Sequence, residues 1–210
     1  MTFLVHPTYF PNITTFAVIA QNDICWEIED NYQKQTYRNR SYICTDRGKH
    51  LLSIPIQHVG GKQGRQKYRD VLLDNSYTWQ RTHWRTLQTA YRTSPFFEFY
   101  EDDIAPLYEE KHKSLLEFNL EAISTVCHCL QIEMPKNKTT KFELEPKKYK
   151  DFRRLANAKR PSGLKQEPYS QVFDDRHEFV KNASVLDLLF NEGTNALSYL
   201  KKQNLDFLNA

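Results

Sequence analysis

The sequence predicts an α/β fold in one domain, a mostly parallel sheet with helices on its faces and a helical C-terminal half. Three observations carry this. A short apolar run, an amphipathic stretch and a second apolar run follow one another at the N-terminus, the order of a strand–helix–strand unit. A helical period of 3.6 residues dominates from Ser76 onward. The chain has 210 residues, 40% of them apolar and 26% charged, enough for one sizeable core.

The elements follow in order. Residues 2–5 (Thr-Phe-Leu-Val) read as a buried strand stopped by Pro7. Asn12 can cap a helix with Ile13, Phe16, Ala17 and Ala20 on one face. Ile24 to Ile28 reads as the second strand. Tyr42-Ile43-Cys44 reads as the third, with Asp46-Arg47-Gly48 as the turn and His50 to Ile56 as its hairpin partner. His58 to Arg69 holds three of the six glycines and four cations, and reads as a basic loop.

Trp79, His83, Leu87 and Tyr91 share a helix face, and Arg81, Arg85 and Arg92 form a basic stripe beside them. Ser94-Pro95 separates this helix from the next. The clearest helix carries Leu115, Phe118, Ala122 and Val126. A strand is expected at Lys141–Leu144. Ser184 with Asp187 three residues on reads as a capping box before Val185–Phe190, with Gly193 as C-cap and Thr194 capping a last helix.

The formal charge is +3. It is unevenly spread: residues 136–165 hold eleven Lys/Arg against three acids, a local excess of +8 that leaves −5 for the remainder. This basic loop reads as a solvated segment or as a binder of phosphate, membrane surface or RNA. It lacks the interleaved aromatics of a single-strand binder, so no nucleic-acid partner is expected. Four cysteines without framework spacing suit a reducing cytoplasm. Cys127-His128-Cys129 resembles a metal cluster only in composition, since helical neighbours splay apart, and no metal is expected. The first seven residues lack a basic n-region and no run approaches a membrane span, so neither a signal peptide nor a transmembrane segment is expected. No motif identifies a cofactor.

Three groups of residues are candidates for chemistry. His6-Pro7-Thr8-Tyr9-Phe10-Pro11 is a turn stiffened by two prolines. At the carboxyl end of a central strand it lies where α/β folds bind ligands, and His6 titrates near neutrality. The competing reading is a stiff turn whose aromatics simply pack. Asp30 after the second strand can orient His6, and Tyr37, Asn39 and Arg40 before the third can bind substrate, Arg40 as an anion clamp; a solvated charged loop is the alternative. Trp79, His83 and Trp84 suit a stacking wall for a sugar, although such stripes at helical spacing are more often core with one satisfied histidine.

The hexapeptide, Glu29-Asp30, Asn39-Arg40, Trp79 to Arg85, Pro95-Phe96-Phe97 and the tail Tyr169-Ser170-Gln171-Val172-Phe173 with Ser184 to Gly193 resemble the WbqC-like family, in its short Bacteroidetes form. Members usually open with Gln-Pro-Tyr-Phe-Phe-Pro, so His6 and Thr8 replace a Gln and a Tyr. The usual Trp-Ile-Asn-Arg-Asn appears as Thr36 to Arg40. The resemblance implies a bacterial cytoplasmic protein of surface-polysaccharide or O-antigen synthesis, with acyl or aminoacyl (glycine) transfer to an amino sugar as its activity. In that reading His6 and Asp30 are catalytic, and Tyr9, Tyr37, Asn39, Arg40, Trp79, His83 and Trp84 bind a small-molecule or sugar substrate. A non-catalytic binding or scaffold protein of the cell envelope is the alternative.

Overall fold

A computed structural model describes residues 2–57 and 66–209. The part of the glycine-rich basic loop from His58 to Arg65 lies outside the described residues. The two apolar runs at the N-terminus form β1 (Phe3–Val5) and β2 (Ile24–Trp26), joined by helix α1 (Ile13–Gln21). They pair in parallel, Leu4 opposite Cys25 and Val5 opposite Trp26. The Asn12 side chain accepts from the Thr15 amide and starts α1, as the sequence predicts. Every residue of α1 from Ile13 to Ile19 is buried, because the helix is sandwiched rather than laid on a surface.

The hairpin forms as β3 (Arg40–Thr45) and β4 (Gly48–Ser53), antiparallel and separate from the main sheet. Gly48 at φ +86° supplies the left-handed turn residue. Helix α2 (Trp79–Tyr91) buries Trp79, His83, Leu87, Ala90 and Tyr91. Three further helices follow, α3 (Phe97–Ile104), α4 (Pro106–Glu109) and α5 (Leu115–Cys129). On α5 Cys127 is buried while His128 is exposed, so the Cys-His-Cys triplet does splay.

The basic segment departs from expectation. No strand forms at Lys141–Leu144, where Phe142 and Leu144 are exposed. Instead two-residue strands β5 (Asn137–Lys138) and β6 (Lys150–Asp151) flank the central pair, giving a parallel sheet in the order β5-β2-β1-β6. Alternation of apolar residues does not by itself make a strand; a partner edge must be in reach, and β2 and β1 offer theirs to 137–138 and 150–151.

The C-terminal part closes with α6 (Val185–Glu192) and α7 (Ala196–Lys202), the latter packed on α1. Ser184 caps α6 by accepting from Leu186, but Asp187 does not complete a capping box, because the Ser184 amide is already taken by the Tyr42 carbonyl. Gly193 ends α6 at φ +53°, and a Cβ there would lie 2.4 Å from the Phe96 ring. Thr194 falls inside a short 3-10 turn rather than capping α7.

Candidate functional site

In a parallel sheet all strands end on one side, so His6 after β1 and Glu27 after β2 emerge together. His6 is 3% exposed. Its Nδ1 lies 3.2 Å from the Glu27 carbonyl, and the Arg38 guanidinium lies 2.6 Å from Nε2. A guanidinium only donates, so Nε2 carries the lone pair and Nδ1 the proton that goes to Glu27. Burial, aided by the Arg38 charge, lowers the His6 pKa to about 4. The imidazole is therefore neutral, with both nitrogens engaged.

The Arg38 guanidinium also donates to Asp30 Oδ2 at 3.0 Å, and this oxygen lies 3.2 Å from His6 Nε2. Burial pushes the Asp30 carboxyl up, but the charge of Arg38 and the Asn31 amide outweigh it and hold it low. The structure thus brings the predicted pair His6 and Asp30 together, through Arg38. Arg38 itself lies over the Tyr68 ring at 5.5 Å, and Asn119 of α5 donates to both the Arg38 carbonyl and the Tyr68 hydroxyl at 2.6 Å. The Glu27 carboxylate, 1% exposed, accepts from the amides of Glu29 and Asp30 and from the Thr139 hydroxyl, with Arg153 3.5 Å away. Glu29 holds Lys67 and Arg69.

Tyr9, Trp79, His83 and Trp84 gather in a second cluster. Tyr9 bonds His83 Nδ1 at 2.9 Å and the Tyr108 hydroxyl at 2.8 Å, while the other side of the His83 ring bonds the Ser53 backbone. Burial lowers the His83 pKa to about 4, so Nδ1 accepts from Tyr9 and the Tyr108 hydroxyl donates to Tyr9. Trp79 packs edge-on to His83, and Trp84 stacks on Phe97 and Tyr108. Tyr37 lies apart, beside Asn12 in a small cleft.

Asn39 and Arg40 go to a third place, an open cavity of about 430 Å³. Tyr32, Ser53, Ile54 and Tyr77 line it with them. Three buried atoms of its lining lack a hydrogen-bond partner among the described residues: the Tyr32 hydroxyl, Asn39 Oδ1 and Arg40 Nε. Asn39 is 9% exposed and fixed by its amide, which donates to the Ile54 carbonyl at 3.0 Å. Burial pushes the Tyr32 phenol up to about 12, with Arg38 and Arg40 both pulling it down. Tyr32 lines the cavity, and its ring lies 6.3 Å from that of Tyr68, over which Arg38 sits.

No group of three or more His, Cys, Asp or Glu is arranged to hold a metal among the described residues. Sequence reasoning missed Arg38 as the hub, although it sits inside the Tyr37–Arg40 segment. It also missed Glu27, Tyr32, Tyr68 and Asn119. Only the tertiary fold brings those together; within the sequence Glu27 is one residue of a strand and Asn119 one position of a helix face.

The model of the WbqC-like protein family matches residues 6–163 of the chain. An uncharacterised protein of Mycobacterium tuberculosis is similar, 29% identical over 225 aligned positions that cover 94% of this chain and 96% of the relative. No solved structure matches.

Proposed function

The chain belongs to the WbqC-like protein family, and from that premise we propose that it binds an amino sugar or a related small polar molecule in the Asn39–Arg40 cavity and serves acyl or aminoacyl transfer to it. One observation carries the binding: the Tyr32 hydroxyl, Asn39 Oδ1 and Arg40 Nε are buried, unpartnered and grouped on one open cavity. Unsatisfied buried polar atoms cost roughly 1–3 kcal/mol each, which a ligand recovers by bonding them. Asn39 Oδ1 accepts, as a sugar hydroxyl or ammonium requires, and Arg40 Nε donates, as an acyl or carboxylate oxygen requires. Tyr77, 63% exposed at the rim, offers a ring face to the sugar's C–H surface.

A non-catalytic binding role is the alternative, favoured by His6, whose two nitrogens are both taken. In the catalytic role Arg38 turns to a substrate oxygen, and His6 Nε2 takes the proton that the amine loses as its nitrogen bonds the acyl carbon; Asp30 pairs with the imidazolium, which returns the proton to the departing acyl carrier as the carrier–acyl bond breaks.

The test is calorimetric titration with glucosamine, N-acetylglucosamine and glucuronic acid. Saturable binding by at least one is expected, weakened about tenfold or more in Asn39→Ala and Arg40→Ala. Absence of binding, or equal affinity in both variants, overturns the assignment.

A further inference from the structure

A second cavity, of about 710 Å³, opens between the β3–β4 hairpin and α2. Its lining carries Arg47, Lys49 and His50 from the hairpin and Arg85 from α2, against one acid, Asp46. Some cations elsewhere are closely paired, Arg38 with Asp30, Lys67 and Arg69 with Glu29, and Arg153 with Asp151. Here none of Arg47, Lys49 and Arg85 has an ion-pair partner among the described residues. Lys49 faces the Tyr42 ring, 4.2 Å from its ammonium, and burial lowers its pKa.

The hydroxyls of Thr82, Thr86 and Thr89 on the α2 wall donate back to carbonyls one turn earlier. They present lone pairs rather than protons, so the attraction for a guest comes from the cations. Phe173 and Ala90 add apolar surface. A concave surface lined by uncompensated charge of one sign concentrates the opposite charge, and three cations exceed what a single carboxylate needs.

We propose that this groove binds the phosphate or diphosphate group of a small organic molecule. The subsite stands on its own charge pattern. Its place relative to the first cavity gives it a role that does rest on the Asn39–Arg40 reading. The hairpin register sets Arg40 opposite Ser53 and Cys44 opposite Lys49, so the two sites lie four residues apart along one ribbon, about 13 Å at 3.3 Å per residue. That span matches a sugar diphosphate whose sugar meets Asn39 and Arg40 and whose phosphates meet Arg47, Lys49 and Arg85.

The experiment titrates the full chain with inorganic pyrophosphate at low ionic strength, as the native protein and as Arg47→Gln, Arg85→Gln, the double variant and Asn39→Ala. Arg47 and Arg85 are exposed, so each variant is expected to fold, and an unchanged melting curve checks that. Saturable binding is expected, about tenfold weaker in each single variant, lost in the double, weakened by salt and unaffected by Asn39→Ala. No binding, or undiminished binding by the double variant, overturns the subsite.

UDP-N-acetylglucosamine then separates free phosphate from sugar-linked phosphate. Tighter binding than pyrophosphate, reduced by Asn39→Ala and by the arginine pair alike, supports the joined site. Binding sensitive to the arginines alone overturns the joined site while the subsite stands. If Asn39→Ala has no effect on any sugar, the first cavity's assignment fails separately.

Discussion

At residue 6 the structure needs one donor and one acceptor set at a fixed angle. Neutral histidine supplies both, Nδ1–H to Glu27 and Nε2 to Arg38. Glutamine carries the same pair on one amide. His6→Gln is therefore expected to melt within a few degrees of the native protein. His6→Ala leaves the Arg38 guanidinium and the Glu27 carbonyl short of a partner in a closed site, at a cost of roughly 2–4 kcal/mol and about 5–12 °C. Thermal denaturation of both variants checks this. A Gln variant as unstable as the Ala variant would show that ring packing against Tyr68, not the hydrogen-bond pair, fixes the residue. Sequence alone placed His6 at a strand end and paired it with Asp30, but not with Arg38. Any of the charged residues in Tyr37–Arg40 fits the anion-clamp argument, and only the fold turns Arg38 inward and Arg40 toward the cavity.

Asp187 governs how elements are joined. Its carboxylate is fully buried and accepts from Tyr91 of α2 at 2.7 Å, from Tyr169 at 2.5 Å and from Gln171 at 2.7 Å. Burial pushes its pKa up, opposed by the three donors. One side chain of α6 thus ties α2 to the irregular tail. Asp187→Ala orphans two phenols and an amide, so a loss of about 3–5 kcal/mol is expected. Asp187→Asn keeps one acceptor oxygen and turns an NH₂ toward a donor, for an expected loss of roughly 1–3 kcal/mol. Urea denaturation measures both. Losses under 1 kcal/mol in each would refute the cross-link. The sequence pattern Ser-x-x-Asp pointed to a local cap, and the Ser half of it is realised. The Asp half was illegible because its three donors lie 16 to 96 residues away.

Among the described residues His6 and His83 are imidazoles in closed networks, the pKa of each lowered to about 4 by burial. A histidine of the unfolded chain titrates near 6.5, so between that pH and about 4 the unfolded state binds more protons than the folded one. Their contribution to stability is complete above about pH 6.5 and declines as the pH falls toward 4. The slope amounts to about 1.4 kcal/mol per pH unit for each histidine while both titrate. The raised pKa of Asp187 has the opposite sign, giving stability at low pH that is lost as the pH rises through its folded value. Denaturant unfolding at several pH values is expected to show stability falling from pH 6.5 to 4.5, with the slope reduced by about one proton in His6→Gln. An equal slope in the native protein and His6→Gln would mean that the His6 imidazole is not held neutral.

What the sequence determined by itself is local or periodic. The Asn12 and Ser184 caps, the Gly48 turn, the apolar strands β1 and β2 and the buried faces of α2 and α5 each follow from residues within a turn or two of one another. Family membership was legible for the same reason, since short motifs survive as contiguous strings. The tertiary structure alone decided which polar groups meet. The edge strands of the sheet are dipeptides, Asn-Lys and Lys-Asp, with no pattern to announce them. The residues expected to serve one site divide among a buried ion network, an aromatic core, an open cavity and, for Tyr37, a small separate cleft. Desolvation and long-range pairing made that division, and both depend on neighbours that no stretch of the chain carries within itself.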